Sequence, residues 1–240
     1  KKVDYVMWGE TDSFFPKEAF WGLETLSEYT EQQNIHRYIA CFGDRKMWDS
    51  SWDATVHNDY VNVQFHKLFK FEQLTEYYDK VVYFDVDVIP TTKENVFDQF
   101  DFNKICVYDY HVDINDDSYR RNIIHRLKNK QPISSMNRHS KVCAKRAMLL
   151  LHDINGNDNI CNTGVFAGNK LAAEKLAFSD NIALLDKTLE EAKEDTVYPE
   201  EYSKQWVRNN EVYVSFLLEK FNVEFNNIGI QWNYILDDKY

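Results

Sequence analysis

The stretch "YDKVVYFDVDVIPTT", Tyr78 to Thr92, is a β-favouring apolar run that carries two carboxylates, Asp85 and Asp87, near its far end. An unpaired carboxylate is costly to bury, so such residues stand at a strand end, bind a cation or shift their pKa. In an extended strand residues i and i+2 point to the same side, which would make Asp85 and Asp87 converge. Convergent carboxylates with no basic residue between them repel, and a divalent cation relieves the repulsion. Hard oxygen ligands favour Mn2+ or Mg2+. A lone D-x-D is common in solvated turns, so the surrounding elements decide whether this one is a site.

Those elements alternate. "VDYVMW" (Val3 to Trp8) reads as a strand, and a helix follows from Pro16 with Phe20, Leu23, Leu26 and Tyr29 at helical spacing. "HRYIACFGD" (His36 to Asp44) reads as the next strand. This β-α-β opening predicts a doubly wound α/β sheet. After a less regular stretch with Trp48 and Trp52, "VNVQFHKLFKFEQLTEYY" has Phe65, Leu68, Phe69 and Leu74 placed for a helix on the sheet, and "KVVYFDVDVIP" follows as a strand. Pro90 and Thr91 mark the expected end of that strand, and in open α/β sheets the ligand crevice lies beyond the carboxyl ends of the strands. Another strand is expected around Lys104 to Tyr108, then a polar, locally basic surface excursion from Asp113 to Arg138. "NICNTGVFAGNK" (Asn159 to Lys170) reads as a strand, Leu171 to Lys193 and Glu211 to Lys220 as helical segments, and "VEFNNIGIQWNYI" as a closing strand and turn.

The bulk numbers suit one compact domain spanning 1–240: 240 residues, 44% of them hydrophobic and 15% aromatic. A formal net charge of -11 disfavours broad attraction to a phosphate backbone, so anionic ligands would need a metal ion or a few placed cations. Cys41, Cys106, Cys143 and Cys161 lack metal-ligand spacing and are expected as free thiols of a reducing compartment, hence a cytoplasmic location. No window approaches the roughly 20 apolar residues of a membrane span, and nothing at the amino end resembles a signal peptide. The chain starts at Lys1 without a methionine, which leaves a longer parent chain open.

"HKLFKFEQLTEYYDKVVYFDVDVIPTTKENVFDQF" resembles the central motif of nucleotide-sugar-dependent glycosyltransferases with the GT-A fold, most closely the family 8 type related to glycogenin and the bacterial galactosyltransferases. "NTGVFAGN" (Asn162 to Asn169) resembles that family's N-x-G-V motif, and "NNEVYVSFLLEKFNVEFNNIGIQWN" its third region. Together these pieces cover about Val3 to Asn233 in the family's order. The resemblance implies a single GT-A domain with a central mixed, mostly parallel sheet flanked by helices. It also implies a metal-dependent transferase that moves a sugar from a nucleotide-diphosphate donor, UDP-linked by expectation, to a hydroxyl acceptor with retention.

By the same resemblance, Asp85 would contact the donor ribose or the metal, and Asp87 would ligate Mn2+ or Mg2+ bridging the donor phosphates. Lys67, with Lys70 as the competing choice, would lie near the donor phosphates or sugar. Trp8, Gly9, Glu10 and Thr11, read as a loop after the first strand, would hold the donor base and ribose. Asn162 and Gly164 would line the sugar pocket. Glu211 is a candidate catalytic carboxylate, with helix capping as the plain alternative. Two departures from the family stand out. The chain has Asn210-Glu211 where family members carry Asp-Gln, which leaves inversion open beside retention, with Glu211 as the base an inverting enzyme would use. It also has no histidine after His152 to act as a third metal ligand, so either the sequence is truncated, or Asp237 or Asp238 substitutes, or the D-x-D and the nucleotide alone hold the metal.

Two other readings compete. A nucleotidyltransferase of similar architecture would also use aspartates and Mg2+, but "GETDSFF" lacks the glycines of a phosphate loop. A sugar-nucleotide-binding or interaction module would need no chemistry. The acceptor could be a glycan, a protein or a small molecule. Modified DNA is less favoured, with the basic run Arg120 to Lys141 as its contact region; that run could equally be a solvated helix face.

Overall fold

The computed structural model describes residues 5–11, 36–42, 54–57, 63–85, 88, 91–109, 138–157, 159–185 and 209–233. The expected helix from Pro16, the Trp48 and Trp52 stretch, Asp87, the basic run up to residue 137, Asp237 and Asp238 lie outside the described residues.

Seven strands form one sheet in the order β3-β2-β1-β4-β6-β5-β7. They are β1 (Tyr5–Thr11), β2 (His36–Phe42), β3 (Ala54–His57), β4 (Lys80–Phe84), β5 (Ile105–Asp109), β6 (Cys161–Gly168) and β7 (Phe225–Asn227). The pairs β1–β2, β1–β4, β2–β3 and β5–β7 are parallel, and β6 runs antiparallel to β4. The sheet is thus mixed and mostly parallel, the expected α/β class. Helices α1 (Val63–Thr75), α2 (Arg138–Leu151), α3 (Lys170–Leu176) and α4 (Asn210–Lys220) accompany it.

Two compact units are present. One comprises residues 1–107, 163–179 and 224–240, the other residues 108–162 and 180–223. β5 passes out of the first unit after Val107, and β6 enters it after Asn162.

In the first unit β4 and β6 are buried on both faces, which explains their near-continuous apolar sequences. α1 packs on β4 and α3 through Phe65, Leu68, Phe71 and Leu74, all buried. Phe71 meets Phe166 edge-on at 4.8 Å and Phe178 at 6.4 Å. Phe71 thus takes a core place that the sequence pattern assigned to Phe69, which is half-buried. In the second unit α2 packs on α4, and α4 is buried from Asn210 through Leu218, which accounts for its lack of a polar face.

Three expectations are corrected by the backbone. β4 ends at Phe84, ahead of Asp85, and beyond it the Val88 N–H donates to the Asp85 carbonyl at 3.0 Å. β1 instead runs longer than expected: Trp8 to Thr11 lie within the strand, because β2 supplies partners as far as Thr11↔Cys41. The helix expected from Leu171 to Lys193 is interrupted at Ala177, whose φ of 42° is left-handed and caps α3. That break lets Phe178 pack at 5.9 Å from Phe166.

Candidate functional site

From β1 the chain proceeds outward through β2 to β3 on one side, while β4 lies on the other side of β1. The strand order therefore reverses between β1 and β4, and ligand crevices of open α/β sheets form outside the carboxyl ends of strands at such a switch point. β1 and β4 are parallel with Trp8 opposite Tyr83. Gly9, Glu10 and Thr11 continue β1 toward its carboxyl end alongside Ile39, Ala40 and Cys41, and Asp85 follows the last residue of β4. Four candidates for the donor base and ribose thus share one sheet edge with Asp85.

Asp85 is held on all sides but one. Its N–H donates to the Gly164 carbonyl at 2.8 Å, which carries the β4–β6 pairing one residue past Phe84. Its Oδ1 accepts from the Lys67 ammonium at 3.2 Å and from the Tyr83 hydroxyl. Lys67 comes from α1, is 5% exposed, and also donates to the Thr163 carbonyl at 3.2 Å while lying 4.7 Å from the Tyr83 ring centroid. The competing Lys70 donates to Gln73 at the surface. Two carbonyls of the "NTGV" segment, Thr163 and Gly164, therefore anchor the lysine and the aspartate together.

Asp85 Oδ2 accepts no hydrogen bond among the described residues, and the side chain is 38% exposed. An anionic hard oxygen fixed by its backbone and its sister oxygen, with its own lone pairs open, fits a divalent cation or a ribose hydroxyl. Asp87, the other expected ligand, is outside the described residues. Among the described residues no three His, Cys, Asp or Glu side chains come together as a metal cluster.

The second unit holds the remaining candidates. Asn162 Nδ2 donates to Glu211 Oε1 at 2.8 Å, and the Lys141 ammonium from α2 bonds Glu211 Oε2. Capping of α4 belongs to Asn209, whose Oδ1 accepts from the N–H groups of Glu211 and Val212 at 3.0 and 3.2 Å. The Glu211 carboxylate is thereby released from the capping role and sits in a buried ion pair. Ser215 Oγ donates to the Glu211 carbonyl at 2.6 Å and accepts from Cys161 N–H at 3.0 Å. Burial pushes the Cys161 thiol up to about 12, against the hydrogen bond with Ser215, which lowers it. Lys145, one turn after Lys141, donates to Asn159 O at 2.8 Å, Asn157 Oδ1 at 3.1 Å and Glu219 Oε1 at 3.3 Å. Burial lowers the pKa of that ammonium, and Glu219 opposes the shift.

No family model matches the chain, and no curated protein matches it. Solved structures similar to it include a glycosyltransferase involved in glycosylation of the major capsid of PBCV-1, at 15% identity and a TM-score of 0.38, covering 75% of this chain and 66% of that one. The galactosyltransferase LgtC in complex with donor and acceptor sugar analogs is similar at 11% identity and a TM-score of 0.40, over 84% of this chain and 68% of that one. An active-site mutant of LgtC gives 12% identity and a TM-score of 0.41, over 86% and 71%. The chain thus spans just under two thirds of the first of these proteins.

Of the residues nominated from sequence, Lys67, Asp85 and Gly164 meet in the first unit, and Asn162 and Glu211 meet in the second. Tyr83, Thr163 and Lys141 escaped the sequence reading. Tyr83 looked like core because it is core, and only its hydroxyl reaches Asp85. Lys141 was counted in the basic run, yet Lys141, Ala144, Lys145 and Met148 recur at helical spacing and are all buried. That shared stripe is the signal that would have found it.

Proposed function

We propose that the protein is a metal-dependent glycosyltransferase that moves a sugar from a nucleotide-diphosphate donor, UDP-linked in the first instance, to a hydroxyl acceptor with retention. The observation that carries this reading is Asp85 at the β1/β4 switch point, its backbone and Oδ1 fixed and its Oδ2 open. Asp85, with Asp87, would hold the cation and the ribose. A bound Mn2+ or Mg2+ supplies positive charge to the departing nucleoside diphosphate. Lys67 keeps the Asp85 carboxylate oriented, and Trp8 to Thr11 edge the pocket for base and ribose. The donor C1–O bond breaks, the acceptor oxygen bonds C1, and the acceptor proton leaves with the diphosphate or solvent. A retaining enzyme needs no external base. In support, Glu211 already accepts from Lys141 and Asn162 and would have to release a partner to act as one.

The test is slow hydrolysis of a panel of UDP- and GDP-sugars with Mn2+, read as free nucleoside diphosphate. Metal-dependent release from one sugar class is expected, with Asp85→Asn and Asp87→Asn each reducing it at least about a hundredfold. Absence of hydrolysis and of any thermal shift across the panel would sink the reading.

A further inference from the structure

We infer that Tyr83 is a positioning residue that turns Asp85 into a one-oxygen ligand; this rests on the donor-binding reading above. The carboxylate has two oxygens and two freely rotating bonds, and the surroundings fix all of them. Gly164 and Val88 hold the Asp85 backbone from either side. The Tyr83 hydroxyl and the Lys67 ammonium both take Oδ1 and none of the described residues takes Oδ2. Both donors are themselves constrained by packing: the Tyr83 side chain is fully buried, and Lys67 is buried and also donates to Thr163. A ligand arriving at Oδ2 therefore meets an oxygen whose position and charge are already set, and the ordering cost is met during folding rather than on binding.

Tyr83 and Asp85 are two residues apart on a strand that ends between them, so the tyrosine hydroxyl reaches around the end of β4 to the carboxylate. Lys67 alone would leave Asp85 a rotatable ion pair. The second donor on the same oxygen removes that freedom. Tyr83 bonds Asp85 and acts on the ligand through it. The ring, paired across the strands with Phe166, is retained in Tyr83→Phe, so the substitution removes the hydroxyl alone.

The experiment is a double-mutant cycle on binding rather than turnover. Affinity for UDP with Mn2+ is measured by calorimetry for the intact chain, Tyr83→Phe, Asp85→Asn and the double variant, with Tm as the control for folding. Tyr83→Phe is expected to weaken binding about tenfold with little change in Tm. In the Asp85→Asn background the same substitution should have almost no further effect, because the anionic ligand oxygen that the hydroxyl positions is gone, although the amide oxygen can still accept from Tyr83. An equal tenfold loss in both backgrounds, or none in either, overturns the inference while leaving the donor reading intact. Failure of the intact chain to bind UDP with Mn2+ removes the reading and this inference together.

Discussion

Glu211 and Lys141 have side chains only 9% and 11% exposed, so each depends on the other for its charge to be tolerated inside the protein. Removing one partner of a buried pair strands the other, at a cost of roughly 3–5 kcal/mol. Lys141→Ala should therefore lower stability by about that amount in urea unfolding. Glu211→Gln keeps an acceptor for Asn162 but strands the lysine, and should cost a comparable amount. The double variant Lys141→Met/Glu211→Gln removes both charges and preserves the Asn162 contact. It should recover most of the loss, since a charge-free pocket of similar volume escapes the desolvation penalty. Single variants that each cost under about 1 kcal/mol would mean that water reaches the pair and that its charges are not buried in solution.

Above the single residue, α4 depends on one side chain to start where it does. Asn209 satisfies two N–H groups of the first turn, which no other group in the helix can reach. Asn209→Ala should cost about 1 kcal/mol, read from the thermal midpoint, and should also loosen Glu211, whose own N–H is one of the two. An unchanged midpoint would show that water caps the helix as well as asparagine does. The start of α4 was legible in "NNEVYV" to within a residue, but the cap was not: capping was weighed at Glu211, whereas Asn209, a preferred N-cap type, supplies it. The strands β4 and β6 were equally legible because burial on both faces leaves runs such as "KVVYF" and "GVFAG" without polar interruption. β3, by contrast, is four residues of weak pattern, "ATVH", and its existence depends on β2 beside it. Ala177 could not be read as a break, because alanine favours helix, and its left-handed backbone goes with the packing of Phe178 against Phe71 and Phe166. The same limit governs the site: a carboxylate in an apolar run announces Asp85 and the family resemblance nominates Lys67, while the hydroxyl that bonds Asp85 comes from Tyr83, whose sequence position looks like core.

For the molecule as a whole, stability against pH carries a signature of two buried thiols among the described residues, one in each compact unit. Burial pushes both Cys106 and Cys161 above the ordinary thiol value of 9.0, Cys161 to about 12, and Asp101 adds to the shift at Cys106. The stability tied to such groups is complete below pH 9, where the thiols are protonated in both states. Between pH 9 and about 12 the unfolded chain releases the Cys161 proton while the folded chain retains it, so the folded state loses ground as pH rises. Each thiol contributes a slope of about 1.4 kcal/mol per pH unit in that window. Lys145, shifted the other way by burial, works against this slope below its ordinary value of 10.5, and the growing negative charge of an already acidic chain works with it. A difference measurement separates these contributions. Urea unfolding of the intact chain and of Cys161→Ala, carried out from pH 8 to 11, should give curves offset by a constant below pH 9. Above pH 9 they should converge by about 1.4 kcal/mol per unit, because the variant has no thiol at 161 to ionise on unfolding. Curves that stay parallel throughout would mean that the thiol ionises as readily in the folded protein as in the unfolded chain, and that the α4–β6 junction around Ser215 admits water.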